Sequence, residues 1–163
     1  MSTLLEKSRT QNTPLPSGKN KMVGIVVSEW NTPITESLLK GTIDTLIAAG
    51  MREDDIIIEY VPGTVELTFG AKVLIEETLV HAVIVLGCVI QGETRHFDYV
   101  CDSVTQGITK LNLNYPTPVI FGVLTTNNLE QAEARAGGTH GNKGEDCAIA
   151  ALKMIDLQQR YII

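Results

Sequence analysis

Residues 92–96 combine groups for acid–base chemistry with groups for anion binding. The segment runs Gly-Glu-Thr-Arg-His and lies between a strongly apolar stretch and a helical pattern. Backbone N–H groups at the start of a helix attract anions, and an imidazole exchanges a proton near neutral pH. The segment therefore predicts a phosphate site with His96 beside it as a proton carrier. The alternative is that Glu93 and Thr94 only cap a helix and that His96 is a solvated loop residue.

A second segment places positive charge beside a glycine-rich backbone, which has unusual conformational freedom. Four of the eight residues in 137–144 are glycine, Arg135 stands two residues before this segment, and Lys143 lies within it. Both side chains can pair with a phosphate, and the guanidinium can do so with two parallel hydrogen bonds. The alternative is a hinge between two helices whose charges are solvated.

Two single residues extend this candidate site. Trp30, the only tryptophan, follows the first apolar stretch, where an exposed ring can stack on a planar ligand; the alternative is a core or interface residue. Glu66 can accept hydrogen bonds from hydroxyls or amines, or it can simply face the dipole of the helix that it begins. Phe121 is expected in the core, and His81 and His140 are expected on the surface without partners.

The apolar pattern predicts a scaffold that brings these residues to one edge. Short β-branched runs predict strands, and apolar residues at helical spacing predict helices between them. The predicted strands are 22–27, 56–58, 81–90 and 119–124, and the predicted helices are 33–49, 67–75, 98–113, 129–136 and 143–159. This alternation predicts an α/β fold, a parallel sheet with helices on both faces. Ligands bind beyond the carboxyl ends of such strands, which selects the segments 28–32, 61–66, 88–96 and 121–128.

Composition narrows the class of protein. The 163 residues carry 13 Lys and Arg against 19 Asp and Glu, a net charge of −6, which argues against binding nucleic acid or an anionic membrane. Cys88, Cys101 and Cys147 lack the spacing of a zinc site. They predict reduced thiols in a cytoplasmic protein and no metal centre.

The sequence divides into an arm and one domain. Residues 1–21 are polar and contain Pro14, Pro16 and Gly18, which predicts a flexible N-terminal arm without the apolar block of a signal peptide or membrane span. Residues 22–163 show no internal repeat and no change of composition. They are expected to form a single domain.

Five blocks of this sequence resemble the lumazine synthase family. The blocks are residues 24–31, 61–67, 87–100, 118–126 and 130–144, which together cover nearly the whole chain after the arm. The resemblance implies a flavodoxin-like three-layer fold with a four-stranded parallel sheet. It also implies a transferase of riboflavin biosynthesis, which condenses 5-amino-6-(D-ribitylamino)uracil with 3,4-dihydroxy-2-butanone 4-phosphate to give 6,7-dimethyl-8-ribityllumazine, phosphate and water.

The resemblance assigns roles to individual residues. His96 is the implied proton donor and acceptor, and Trp30 the ring that stacks on the pyrimidine. Residues 64–66 hold the ribityl chain, residues 88–90 line the ring pocket largely through their backbone, and residues 93–94 begin the phosphate turn. The implied substrate-binding set is Trp30, Asn31, Thr64, Val65, Glu66, Cys88, Val89, Ile90, Glu93, Thr94, Phe121, Arg135 and Lys143.

The resemblance further implies an assembly in which Phe121 and Arg135 reach the site of an adjacent subunit. The expected assembly is a homopentamer or a shell of pentamers; riboflavin synthase is the implied protein partner, and no cofactor is expected. Val65 and Thr68 depart from the usual family pattern, and Arg95 adds a charge beside His96. Two alternatives are an archaeal-type riboflavin synthase and a non-catalytic flavin-binding shell protein.

Overall fold

A four-stranded parallel sheet forms the centre of the chain in the computed structural model, which describes residues 14–161. The strands are β1 (Val23–Ser28), β2 (Ile56–Val61), β3 (Ala82–Ile90) and β4 (Val119–Thr126), in the spatial order β2-β1-β3-β4. In register, Val23 lies opposite both Ile56 and Ala82, and Val83 lies opposite Val119. All six residues of β1 are buried, as expected for a central strand that is covered on both faces.

Helices cover the two faces of the sheet and complete three layers, which confirms the predicted fold class. In the described part of the chain, the helices are α1 (Thr32–Ala48), α2 (Leu67–Glu77), α3 (His96–Asn114), α4 (Leu129–Glu133) and α5 (Lys143–Tyr161). A single 3₁₀ turn, Glu53–Asp55, precedes β2. Helices α1 and α5 pack on one face, and α2 and α3 pack on the other.

Two apolar layers hold the sheet between its helices. On the first face, Leu38 of α1 and Leu152 of α5 pack with Ile84 of β3 in one buried cluster. On the second, Leu67 of α2 packs with Val26 of β1 in another. Complete burial of each such side chain contributes about 1.5–3 kcal/mol, so these two layers supply most of the apolar stabilisation.

Helices α1 and α5 cross in direct backbone contact at Gly144. A Cβ atom at this position would lie 1.9 Å from the carbonyl oxygen of Leu38, so only glycine allows the crossing. The Thr42 hydroxyl lies 2.9 Å from that oxygen and 3.1 Å from the carbonyl oxygen of Gly144, and it shares its single hydrogen between these two acceptors. The middle of α1 and the first turn of α5 are therefore fixed relative to each other.

The predicted helix 129–136 was wrong at its C-terminal end. Helix α4 ends at Glu133, and a short antiparallel hairpin follows, formed by β5 (Ala136–Gly138) and β6 (Gly141–Asn142). Gly137 and Gly141 have φ angles of 104° and 75°, a region that glycine adopts without strain. These two residues turn the chain, so the glycine-rich segment is a hairpin and not an interhelical hinge.

The N-terminal segment and His81 contact the domain more closely than the sequence suggests. The predicted arm falls largely on residues 1–13, which lie outside the described residues, but Gly18 is buried and its N–H donates to the Ala49 carbonyl over 2.8 Å. The prediction of His81 as a surface residue without partners was wrong, because its Nδ1 accepts from the Met22 N–H over 3.0 Å. His140 is exposed as expected. Within residues 14–161, no helix has the combined length and apolarity that crossing a membrane requires.

Candidate active site

The carboxyl edge of the sheet collects the predicted site segments, because each of them directly follows one of the parallel strands. Trp30 lies in the turn between β1 and α1, and 71% of its surface is exposed. The neighbouring loop after β2 passes beneath it, since a Cβ at Gly63 would lie 3.5 Å from Trp30 Cδ1 and 3.0 Å from Glu66 Oε2. A pocket of about 260 Å³ opens here between Glu29, Trp30, Asn31 and Pro62. Trp30 and Glu29 therefore line the same small space, and Glu66 lies close to it across Gly63.

Hydrogen bonds on both sides of Trp30 fix the turn that presents its ring. The Glu29 N–H donates to the Val61 carbonyl over 2.9 Å, and the Thr32 hydroxyl donates to the Glu29 carbonyl over 2.6 Å. Asn31, on the other side, donates from Nδ2 to the Cys88 carbonyl over 2.9 Å. The main chain is thus held firmly while the indole itself remains free to contact a ligand.

The loop between β2 and α2 has one buried and two exposed candidate residues. Thr64 is buried, and its hydroxyl lies 3.1 Å from where a Cβ at Gly87 would stand, so this side chain packs on β3. Val65 and Glu66 are exposed. A ligand at this edge therefore contacts the side chains of Val65 and Glu66, and it can contact Thr64 only through main-chain atoms.

The end of β3 forms the floor of the site. Cys88 is buried, and Val89 and Ile90 are half-buried opposite Thr125 and Thr126 of β4. Burial raises the pKa of the Cys88 thiol to about 11. Because the thiolate is the reactive form of cysteine, Cys88 lines the floor and does not serve as a nucleophile at neutral pH.

The turn between β3 and α3 is open to solvent. All residues from Gly92 to His96 are exposed, and no atom lies within 4 Å of where a Cβ on Gly92 would stand. The His96 N–H lies 3.4 Å from the Thr94 hydroxyl, to which it donates. His96 is the first residue of α3, so the imidazole stands at a helix N-terminus, which attracts anions, as the phosphate prediction requires.

Arg95 directly precedes α3, and its side chain contacts residues of that helix. Its Nε lies 3.5 Å from Asp98 Oδ2, and its guanidinium carbon lies 5.9 Å from the centre of the Tyr99 ring. The carboxylate of Asp98 and the ring of Tyr99 therefore hold this charge on the surface of α3.

Arg135 and Lys143 form a second group around the glycine-rich hairpin. Arg135 Nη1 donates to the Gln131 carbonyl over 2.9 Å, and the Lys143 N–H donates to the Arg135 carbonyl over the same distance. Lys143 Nζ lies 2.6 Å from Asp146. No hydrogen bond or ion pair within residues 14–161 joins either cation to His96 of the same chain.

Phe121 also lies apart from this edge, and the expectation that it is a core residue was wrong. It belongs to β4, an edge strand, and 41% of its surface is exposed. A large apolar side chain on an unpaired strand edge is a candidate for contact with another subunit. Among the described residues, no cluster of three or more His, Cys, Asp or Glu side chains is arranged to bind a metal ion.

Comparison with known proteins identifies the family of the chain. The family model for 6,7-dimethyl-8-ribityllumazine synthase matches residues 20–159. The 6,7-dimethyl-8-ribityllumazine synthase of Porphyromonas gingivalis is 56% identical over 145 residues, which are 89% of this chain and 90% of that protein. Those of Bacteroides fragilis and Cytophaga hutchinsonii are 56% and 55% identical, over 82% and 86% of this chain and 93% and 89% of their own length.

The chain belongs to the lumazine synthase family. This confirms the resemblance found in the sequence, together with the predicted enzyme class, a transferase of riboflavin biosynthesis. The match does not favour an archaeal-type riboflavin synthase or a non-catalytic shell protein.

Sequence reasoning missed the residues that hold two of the candidate site residues in place. Gln131 fixes Arg135 through its carbonyl, and Asp146 holds the Lys143 ammonium. Asp146 lies three residues after Lys143 on the same helix, and that spacing was a signal that could have found it. The Arg135 contact is to a backbone carbonyl, for which the side-chain pattern gives no signal. Asn31 was predicted as a substrate ligand, but its amide nitrogen already binds the Cys88 carbonyl.

Proposed function

We propose that this chain condenses 5-amino-6-(D-ribitylamino)uracil with 3,4-dihydroxy-2-butanone 4-phosphate to give 6,7-dimethyl-8-ribityllumazine, phosphate and water. The observation that carries the proposal is the carboxyl edge of the sheet. There an exposed indole, a free carboxylate and an open helix N-terminus with a histidine follow three adjacent strands. This is the arrangement that a planar polyhydroxylated substrate and a phosphorylated ketone require.

The pyrimidine binds on the Trp30 side of this edge. Its ring stacks on the exposed indole, and its polar groups bond to the backbone of residues 88–90. The ribityl hydroxyls donate to the Glu66 carboxylate, which is exposed and lies close to Trp30 across Gly63. Val65 contacts the ribityl chain with a smaller side chain than the aromatic usual in the family.

The butanone phosphate binds on the His96 side. Glu93 and Thr94 begin the turn, and the N-terminus of α3 receives the phosphate. Arg135, supplied by a neighbouring subunit, and Lys143 complete its charge. Arg95 remains paired with Asp98 on the outside of the helix.

Catalysis consists of positioning and proton transfer. The pyrimidine amine attacks the ketone and water leaves; the phosphate is then eliminated, and the second amine closes the ring with loss of water. His96 accepts and donates the protons, a contribution of about 10²- to 10⁴-fold, while holding two reactive substrates in contact supplies the larger part. The protonated Cys88 thiol takes no part in bond formation.

We also propose that the active form is a homopentamer, or a shell built from pentamers, in which Phe121 and Arg135 complete the site of the next subunit. The supporting observations are the exposed Phe121 on an edge strand and the absence, within residues 14–161, of a bond between Arg135 and His96. Contacts between different surfaces of identical subunits close into rings. The three cysteines are free, which fits a reducing cytoplasm, and riboflavin synthase is the partner that consumes the product.

Incubation of the chain with both substrates tests the proposed reaction through the absorbance and fluorescence of the lumazine product. Incubation with that product alone is the control, because only a riboflavin synthase converts it to riboflavin. Light scattering measures the assembly. A monomer with full activity would refute the shared site but would leave the reaction in place.

A further inference from the structure

Asn31 has a backbone conformation that few residues adopt. Its φ and ψ angles are 60° and 42°, in the left-handed region that asparagine and glycine tolerate best. Within residues 14–161, Asn20 is the only other non-glycine residue with positive φ, also 60°. This conformation turns the chain from β1 into α1, where the Asn31 carbonyl accepts from the Ile34 and Thr35 N–H groups over 2.9 and 3.1 Å.

The side chain of Asn31 extends the connection between the two central strands. The backbone register of β1 on β3 ends with Val27 opposite Leu86. Beyond that pair, Nδ2 of Asn31 donates to the Cys88 carbonyl over 2.9 Å. One side chain therefore links the turn that carries Trp30 with the strand end that forms the floor of the site.

These contacts decide where the indole stands above the floor. Trp30 lies between two residues whose positions are fixed, since the Glu29 N–H binds the Val61 carbonyl and Asn31 binds the Cys88 carbonyl. The first bond holds the turn to β2 and the second holds it to β3. Loss of the second bond leaves the turn attached on one side only, so the indole gains freedom relative to residues 88–90.

We propose that Asn31 is a positioning residue, which sets the distance between the Trp30 ring and the backbone of residues 88–90 through its bond to the Cys88 carbonyl. It acts on the pyrimidine through Trp30 and the pocket floor. The consequence for the reaction rests on the proposed function, whereas the consequence for Trp30 does not. Substitutions at Asn31 therefore change how Trp30 moves before any substrate is present.

Asn31→Gly and Asn31→Asp test the proposal. Both residues tolerate positive φ; glycine removes the side chain, and aspartate replaces the amide donor with an acceptor that faces a carbonyl. Asn20→Gly and Asn20→Asp are the matched controls, because Asn20 has the same φ angle and lies outside the site. Thermal unfolding first verifies that each variant is folded.

The readout that needs no substrate is the time-resolved fluorescence anisotropy of Trp30, the only tryptophan. We expect a larger fast component in both Asn31 variants and no change in the controls. With substrates, we expect the KM for the ribitylaminouracil to rise about 3- to 10-fold, the effect of one hydrogen bond, and the KM for the butanone phosphate to stay within about twofold.

Unchanged Trp30 anisotropy in both Asn31 variants would overturn the proposal. If the ribitylaminouracil KM nevertheless rose, Asn31 would be a direct ligand and not a positioning residue. An inactive wild-type chain would refute the proposed function alone, since the anisotropy comparison is made without substrates.

Discussion

Gly144→Ala tests the close crossing of α1 and α5. The added methyl group would lie 1.9 Å from the Leu38 carbonyl oxygen and 2.7 Å from the Thr42 hydroxyl. Because the obstacle is backbone, no side-chain rotation relieves the clash. Ordinary contact begins near 3.4 Å, so the helices must separate by about 1.5 Å before the repulsion becomes attraction.

The expected loss of stability follows from two costs and one gain. Overpacking of this kind costs about 1–3 kcal/mol, and loss of the Thr42 bond to the Gly144 carbonyl adds about 1 kcal/mol. Replacing a helical glycine by alanine raises the free energy of unfolding by at most about 1 kcal/mol. The free energy of unfolding should therefore fall by about 1–4 kcal/mol, which lowers the thermal midpoint of a domain of this size by about 2–16 °C.

Thermal unfolding followed by circular dichroism measures this shift, with Gly92→Ala as the matched control. A Cβ at Gly92 has no atom within 4 Å, so the control should change stability by no more than about 0.5 kcal/mol. Equal midpoints for Gly144→Ala and wild type would refute the reasoning. They would mean that α1 and α5 separate freely, and that their crossing does not fix the start of α5 and Lys143.

Four further outcomes are expected. His96→Ala should lower turnover by about 10²- to 10⁴-fold without abolishing it; wild-type turnover in a single-turnover experiment would exclude His96 from proton transfer. Arg135→Ala should raise the KM for the butanone phosphate, with partial recovery in Arg135→Lys; a loss confined to the pyrimidine substrate would contradict this role. Burial raises the pKa of the Cys88 thiol to about 11, so this thiol should resist iodoacetamide at neutral pH. It should react only as the pH approaches that value or when the chain unfolds. Rapid labelling of Cys88 in the native protein, identified by mass spectrometry, would show that the site is open. Thr68→Val should stabilise the chain by about 1 kcal/mol in denaturant titration, because the Thr68 hydroxyl is buried without a partner, and destabilisation would mean that this hydroxyl does have one.

The sheet was predictable because a strand that is buried on both faces appears in the sequence as a continuous run of apolar residues. The six residues of β1 are all buried, and the run of valine and isoleucine there admits few other structures. The hairpin after α4 was not predictable in this way. Its strands have three and two residues, too few for a period to show, and the glycines that turn it are equally typical of a loop.

The candidate site was only partly predictable, for a different reason. His96 and Glu66 follow strands, and the rule that ligands bind at strand ends selects them. Phe121 appeared to be a core residue because the sequence does not reveal that one side of β4 is unpaired. The partners of Asn31 and His81 lie 57 and 59 residues away in the chain, so local patterns carry no information about them.

The floor of the proposed ring pocket has a consequence for inhibitor design. In the proposed function, residues 88–90 bind the pyrimidine through main-chain groups, and every amino acid except proline carries the same N–H and carbonyl. A compound that hydrogen-bonds to the main chain of this strand end binds groups that a single amino-acid substitution rarely removes. A single substitution at Val65 can weaken the binding of a compound that depends on the exposed side chain of this residue. Drug resistance should therefore arise slowly against the first kind of inhibitor and quickly against the second.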